Sequence, residues 1–212
     1  MAIVWKWGLN WNANALVWPN GTASNVTWVD WKSNWAGSFN GSNSFINMWN
    51  TLDENWDNPF SLICFIKTTS SNNQMIMWKQ LGSWSFAWYM FWFSSSDNKI
   101  RFDCINNWAS NGLAVIWDWT IADWNYKRIG VTYDWSKSAS WVKIYINWVA
   151  VITNTILNSL TGSVSNSANF NIGSRNNWNL PVNWLVDECI KWNTALTPAE
   201  VKNDYLFYNW FI

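Results

Sequence analysis

Side-chain alternation with a period of two runs through almost the whole chain. It is carried by "NVTWVD" (25–30), "SFINM" (44–48), "FSLICFIK" (60–67), "QMIMWKQ" (74–80), "FAWYMFWF" (86–93) and "KIRFDCI" (99–105). It continues in "LAVIW" (113–117), "YKRIGVTYD" (126–134), "VKIYIN" (142–147), "NFNIG" (169–173) and "LVDECIKW" (185–192). Runs of this kind, bounded by Ser, Asn and Asp clusters such as "TTSSNN" and "SSSDNK", are strands joined by turns. With hardly any helix between them, the strands cannot be βαβ units and must pair antiparallel. Two sheets packed face to face bury them most simply. Half of the 212 residues are hydrophobic, enough for a substantial core, since a domain of roughly 200 residues buries about 70% of its unfolded surface. The expected fold is all-β, a two-sheet antiparallel sandwich.

One helix is signalled. In "LTPAEVKNDYLF", Thr197 is a cap, Pro198 suits the first helical position and Glu200 completes a T-x-x-E capping box. Val201 and Tyr205, four residues apart, share the expected apolar face. No linker or break in composition divides residues 1–212, so a single domain is expected.

Composition excludes several function classes. Lys plus Arg equals Asp plus Glu at 13 each, and no basic run is interleaved with aromatics, so nucleic acid is not an expected partner. No apolar run approaches the roughly 20 residues that cross a bilayer, and the first ten residues lack a signal-peptide core. The chain therefore reads as cytosolic or as a module of a longer secreted or surface protein. Histidine is absent, which removes Ser–His–Asp and Cys–His catalysis. Cys64, Cys104 and Cys189 lie far apart in apolar runs without a CxxC, as buried free thiols do.

The anomaly is tryptophan. It occurs 24 times against 9 glycines, where average usage would give roughly 15 glycines in a chain of this length. Asn or Asp immediately precedes Trp11, Trp31, Trp35, Trp56, Trp108, Trp124, Trp135, Trp148, Trp178 and Trp184. Asn-Gly and Asp-Gly are hairpin grammar; Asn-Trp is not, because a large side chain is strained at positive φ. Three explanations stand side by side: a Trp-rich platform for sugars, ordinary core tryptophans, and UGA codons that the native cell reads as glycine. The second suits Trp7, Trp28 and Trp192, which sit in apolar strand contexts. The third predicts positive φ or distorted turns at the corners, with exposed rings, and "YDWSKSASWVKIYINWV" standing for "YDGSKSASGVKIYINGV".

With these features in place, the chain resembles the LamG-like jelly roll of the concanavalin A-like lectin/glucanase superfamily. The resemblance runs from "LNWNAN" (9–14) through "FNGSNSFINM" (39–48), "PFSLICFIKT" (59–68) and "WNYKRIGVTYDWSKSASWVKIYINWV" (124–149). It ends at "FNIGSRNN" (170–177) and "WLVDECIKWNTALTPAEV" (184–201), the last being the most specific. Lys127 and Arg128 replace the family's usual His pair, Asn10 stands where Asp is common, and Ile190 and Lys191 interrupt the usual alternation. The resemblance implies two curved antiparallel sheets in a jelly roll, with one short C-terminal helix. It also implies a non-catalytic binding or adhesion module, extracellular or at the cell surface. Many members hold a structural Ca²⁺; the matching positions are Asp187, the carbonyl near Gly41 and Asn10, a thin anionic set for an ion that takes six to eight oxygens. A strand-end carboxylate satisfied by backbone amides is an equal reading of Asp187.

The superfamily's glucanases carry paired carboxylates in an E-x-D-x-x-E pattern, and retaining chemistry needs two carboxyls about 5–5.5 Å apart. Here Asp53 and Glu54 are adjacent, as are Asp187 and Glu188, and the pattern does not occur. No enzyme activity is expected. The expected partner is a glycan or a surface protein, without membrane insertion; the alternative is a structural spacer with no small ligand. A ligand module should show a groove with convergent polar groups and aromatic platforms, and a spacer should not.

Overall fold

All eleven alternating runs form strands. The computed structural model describes residues 3–7, 21–31, 34–50, 58–69, 72–80, 87–94, 99–107, 110–175 and 180–209, with backbone alone for 3–7, 34–35, 120 and 209. One sheet is built from β1 (Ile3–Trp7), β3 (Thr27–Trp31), β4 (Asn34–Ser38), β6 (Phe60–Thr68), β11 (Lys127–Tyr133), β12 (Lys143–Ile146), β13 (Val149–Val151) and β16 (Trp184–Trp192). Its order is β13-β12-β11-β6-β16-β4-β3, with β1 also paired to β16. The second sheet comprises β2 (Thr22–Ser24), β5 (Phe45–Asn47), β7 (Gln74–Gln80), β8 (Trp88–Ser94), β9 (Lys99–Asn107), β10 (Asn111–Thr120), β14 (Thr153–Asn158) and β15 (Phe170–Ile172). Its order is β14-β10-β9-β8-β7-β15-β5-β2. Every pairing is antiparallel.

The period of two decides what each sheet buries. On β9, Ile100, Phe102 and Cys104 point inward, while Arg101, Asp103 and Ile105 face out. Leu62, Cys64 and Ile66 of β6 and Val131 and Tyr133 of β11 belong with Phe91 and Phe93 of β8 to one buried cluster between the sheets. All three cysteines are free and buried. Five strands lie outside the alternating runs. Among them β14, "TNTILN", has mostly exposed side chains and pairs only with β10, so an edge register replaces hydrophobic patterning.

The outer face of the first sheet is covered by α1 (Pro198–Asn209). Its capping box forms: Glu200 Oε2 accepts the Thr197 N–H at 2.8 Å, and Thr197 Oγ1 accepts the Glu200 N–H at 3.3 Å. Val201 packs with Ile63, Tyr145, Ile190, Trp192 and Leu196; Tyr208 joins them, and Tyr205 stays half-exposed. Beneath the helix lies Arg128. Its guanidinium donates twice to Asp204, at 2.8 and 3.0 Å, and once to the Glu188 carbonyl at 2.8 Å, between the rings of Phe65 and Tyr208. Burial alone would lower its pKa, and the Asp204 carboxylate outweighs that effect. Glu188 has φ 45 and sits in a bulge where the β16 register shifts between Asp187 and Ile190. The extra residue explains the interrupted alternation at Ile190 and Lys191.

The corners divide the Asn/Asp-Trp set. Trp124, Trp135 and Trp148 have φ of 60, 62 and 70. The rings of Trp124 and Trp148 are exposed, and that of Trp135 is half-buried. Trp141 closes a 3₁₀ turn (Ala139–Trp141) at ordinary φ with its ring exposed. Trp31 and Trp184 correct the turn reading: both lie in strands with buried rings, although their indole N–H groups have no acceptor among the described residues. The ring of Trp35 is not considered, and Trp11, Trp56, Trp108 and Trp178 lie outside the described residues.

Two variants test this frame. Asp204→Ala leaves a buried guanidinium without its carboxylate and should cost about 3 kcal/mol in urea unfolding; adding Arg128→Met should restore most of the loss. Burial raises the Asp123 carboxyl, but hydrogen bonds from Lys127 and the Asn125 N–H outweigh it and hold the pKa at about 2. The unfolded value is about 3.9, so the contribution of Asp123 is present above that pH and is lost as pH falls towards 2. Asp123→Asn should flatten the melting temperature over that window.

Candidate functional site

The chain passes from the first sheet to the second at Ile152, between β13 and β14. There β10 bulges, because its register with β9 shifts between Ile116, opposite Arg101, and Thr120, opposite Lys99. Trp117, Asp118 and Trp119 of β10 then face Val151 and Ile152 across a groove of about 390 Å³. The Trp119 ring is 72% exposed and Ile152 is 90% exposed. Trp117 is half-buried against the core.

Asp118 supplies the polar side of the groove. Its Oδ1 pairs with Lys99 Nζ at 3.0 Å, and its Oδ2 accepts from Asn154 Nδ2. Lys99 comes from β9 and Asn154 from β14, so three neighbouring strands bring an ammonium, a carboxylate and an amide together at Asp118, the residue between Trp117 and Trp119. Asp118 thus gives the groove lining a carboxylate whose orientation is held by two partners. None of its members was singled out in the sequence; the available signal was "WDW" closing a strand.

A second polar group faces out from the middle of the second sheet. Asp103, fully buried, accepts from Arg101 Nη2 at 2.6 Å, from Arg101 Nε at 3.0 Å and from Trp92 Nε1 at 2.6 Å. Burial raises the Asp103 pKa, with Arg101 and Trp92 opposing it. Met75, Trp78, Trp88, Met90 and Ile105 form a buried cluster on the same face.

The positions matched to calcium do not converge. Gly41, at φ 70, donates its N–H to the Val182 carbonyl at 2.8 Å, whereas Asp187 lies five residues further along, about 16 Å on extended backbone. Asp187 is buried, and its Oδ1 accepts the Glu188 N–H at 2.7 Å. These two residues therefore do not fit one ion. Asn10 lies outside the described residues, as do Asp53 and Glu54. Among the described residues no group of three His, Cys, Asp or Glu side chains gathers.

No family model matches the chain, and no curated protein matches its sequence. Solved structures do share the fold. Domain 4 of AbnA, a GH43 extracellular arabinanase from Geobacillus stearothermophilus solved with arabinotriose, has 20% identity and a TM-score of 0.66 over 95% of this chain and 97% of its own. The binding domain of Paraclostridial Mosquitocidal Protein 1 has 15% identity and a TM-score of 0.74 over 97% of this chain. The ligand binding domain of botulinum neurotoxin serotype D, solved with N-acetylneuraminic acid, has 12% identity and a TM-score of 0.71 over the same share. This chain spans about half the length of the toxin domains, 52% and 50%. The two toxin neighbours are binding domains, and the likeness establishes a β-sandwich in two antiparallel sheets.

The Asp103 cluster has a direct readout. A carboxyl NMR titration should place the Asp103 midpoint above the ordinary value of about 3.9. Trp92→Phe, which removes one hydrogen bond to the ionised form, should raise it further. Because the folded pKa is the higher one, stability should fall as pH rises through it, opposite in sign to Asp123.

Proposed function

We propose that the chain is a non-catalytic, LamG-like glycan-binding module of a longer extracellular or cell-surface protein, and that its ligand lies in the Trp119–Asp118 groove. The observation that carries this reading is the exposed Trp119 indole in a groove that Asp118, bonded to Lys99 and Asn154, also lines. A sugar ring offers an apolar C–H face and a rim of hydroxyls, which suits a flat exposed ring in a groove with a carboxylate among its lining. A groove of about 390 Å³ is at the small end of the range typical of ligand sites, about 300–1,000 Å³, and suits a short sugar segment. The arabinotriose and N-acetylneuraminic acid complexes of structural neighbours support the same ligand class. No helix among the described residues is long and apolar enough to cross a membrane.

A glycan array followed by calorimetry tests the proposal. The protein should retain a defined set of glycans, and Trp119→Ala and Asp118→Ala should each weaken binding at least tenfold, about 1.4 kcal/mol. The melting temperature of Trp119→Ala should hardly change. Silence across the array would overturn the module reading in favour of a spacer, and binding indifferent to both substitutions would overturn the groove.

A further inference from the structure

Four tryptophans have backbone angles that a bulky residue avoids: Trp49 (φ 57), Trp124 (φ 60), Trp135 (φ 62) and Trp148 (φ 70). Only a few per cent of non-glycine residues lie at positive φ, and Asn, Asp and His dominate among them. Among the described residues, four of the nine non-glycine positions of this kind are Trp, more than any other type.

The turn geometry around them asks for glycine by name. β12 and β13 are joined by two residues, Asn147 and Trp148, with Ile146 paired to Val149. Both loop residues have positive φ, 48 and 70, which is the type I′ hairpin whose usual sequence is Asn-Gly. Asp123 and Asp134 each accept, at 2.9 Å, the N–H two residues on, from Asn125 and Ser136. In both of these Asx turns the residue between is Trp at positive φ, a conformation that glycine adopts without steric cost. Asn47 makes the corresponding bond to the Trp49 N–H at 2.7 Å, just before the fourth strained position.

The rings gain little in return. Trp49, Trp124 and Trp148 are 54%, 51% and 40% exposed. The contacts of Trp124 and Trp148 with cations are to half-buried Lys67, which also lies over Tyr126, and to exposed Lys202, at 4.6 and 4.9 Å. Trp135 alone packs, edge-on to Tyr133 at 5.4 Å. Meanwhile glycine itself occupies positive φ at Gly41 and Gly173, so the chain uses it there where it has it.

We propose that Trp49, Trp124, Trp135 and Trp148 are glycine in the protein its own cell makes, their codons being UGA, which that cell translates as glycine. UGA is read as stop, tryptophan or glycine in different genetic codes, so one codon assignment accounts for all four strained corners and for the shortage of glycine. The corners of the native fold then carry no rings, and no ligand platform is to be sought there. The inference is independent of the groove, since Trp117 and Trp119 lie within β10 and neither has positive φ.

Two measurements test it. The gene should carry UGA at codons 49, 124, 135 and 148, and peptide mass mapping of protein isolated from its native cells should return glycine at each. UGG codons there, or peptide masses retaining tryptophan, would overturn the proposal. As a physical check, a chain with the four Trp→Gly changes, made in a host with the standard code, should melt several degrees above the all-Trp chain; an equal or lower melting temperature would count against it. Loss of glycan binding in the array would leave both results unaffected.

Discussion

Everything in this molecule depends on a dry layer between two sheets, filled by alternate residues from each. Phe60, Phe102 and Tyr133 meet there at centroid separations of 5.9–6.4 Å, linking β6 and β11 of one sheet to β9 of the other. Because the side-chain period is two, a slip of one residue in any central strand would turn its inward set to the outside. The register is thereby pinned by packing, and the loops and edges are free to vary without endangering it. That freedom is what permits a groove at the β13–β14 crossing and strained corners elsewhere in the same fold.

The outward faces need their own solutions, and the two sheets differ. The first is covered by α1, held by the apolar contacts of Val201 and by the Arg128–Asp204 pair. A buried ion pair is weak ground for stability in itself, since desolvation offsets the attraction. Its geometry here gives orientation: Arg128 ties β11, the bulged carbonyl of Glu188 and the helix into one arrangement. The bulge is thus part of how the helix is seated, at the cost of a non-glycine residue at φ 45.

The central strands were legible because they are apolar at every second position and long enough to show it. The helix was legible from Thr197, Pro198 and Glu200 alone. β14 was not, since an exposed edge strand answers to its partner's backbone and leaves almost no pattern of its own. β8 carried an unused signal: "WYMFWF" is apolar on both faces, which requires cover on the outer side as well, and Trp88 and Met90 are indeed buried there. The groove was illegible for a different reason. Trp119 and Ile152 are brought together only by a chain crossing, and no local periodicity encodes a juxtaposition of that kind. The pairing of Asp187 with Gly41, drawn from resemblance, foundered on position along β16, a quantity that neither residue reveals by itself.

Tryptophan is one residue name in this chain but three physical situations, and backbone angle separates them better than exposure does. Trp78 and Trp88 are buried in a perpendicular pair on ordinary strand backbone, where a large ring fills space. Trp119 is as exposed as any corner ring, yet it lies within a strand at no positive φ, so its exposure carries no backbone strain. Trp148 is less exposed than Trp119 but sits in a two-residue hairpin that a Cβ disfavours. If exposure alone were the criterion, the corner rings and the groove ring would merge into one scattered aromatic surface with no common face. Conformation instead assigns the corners to turn geometry and leaves Trp119, on unstrained strand backbone, as the exposed ring of the groove.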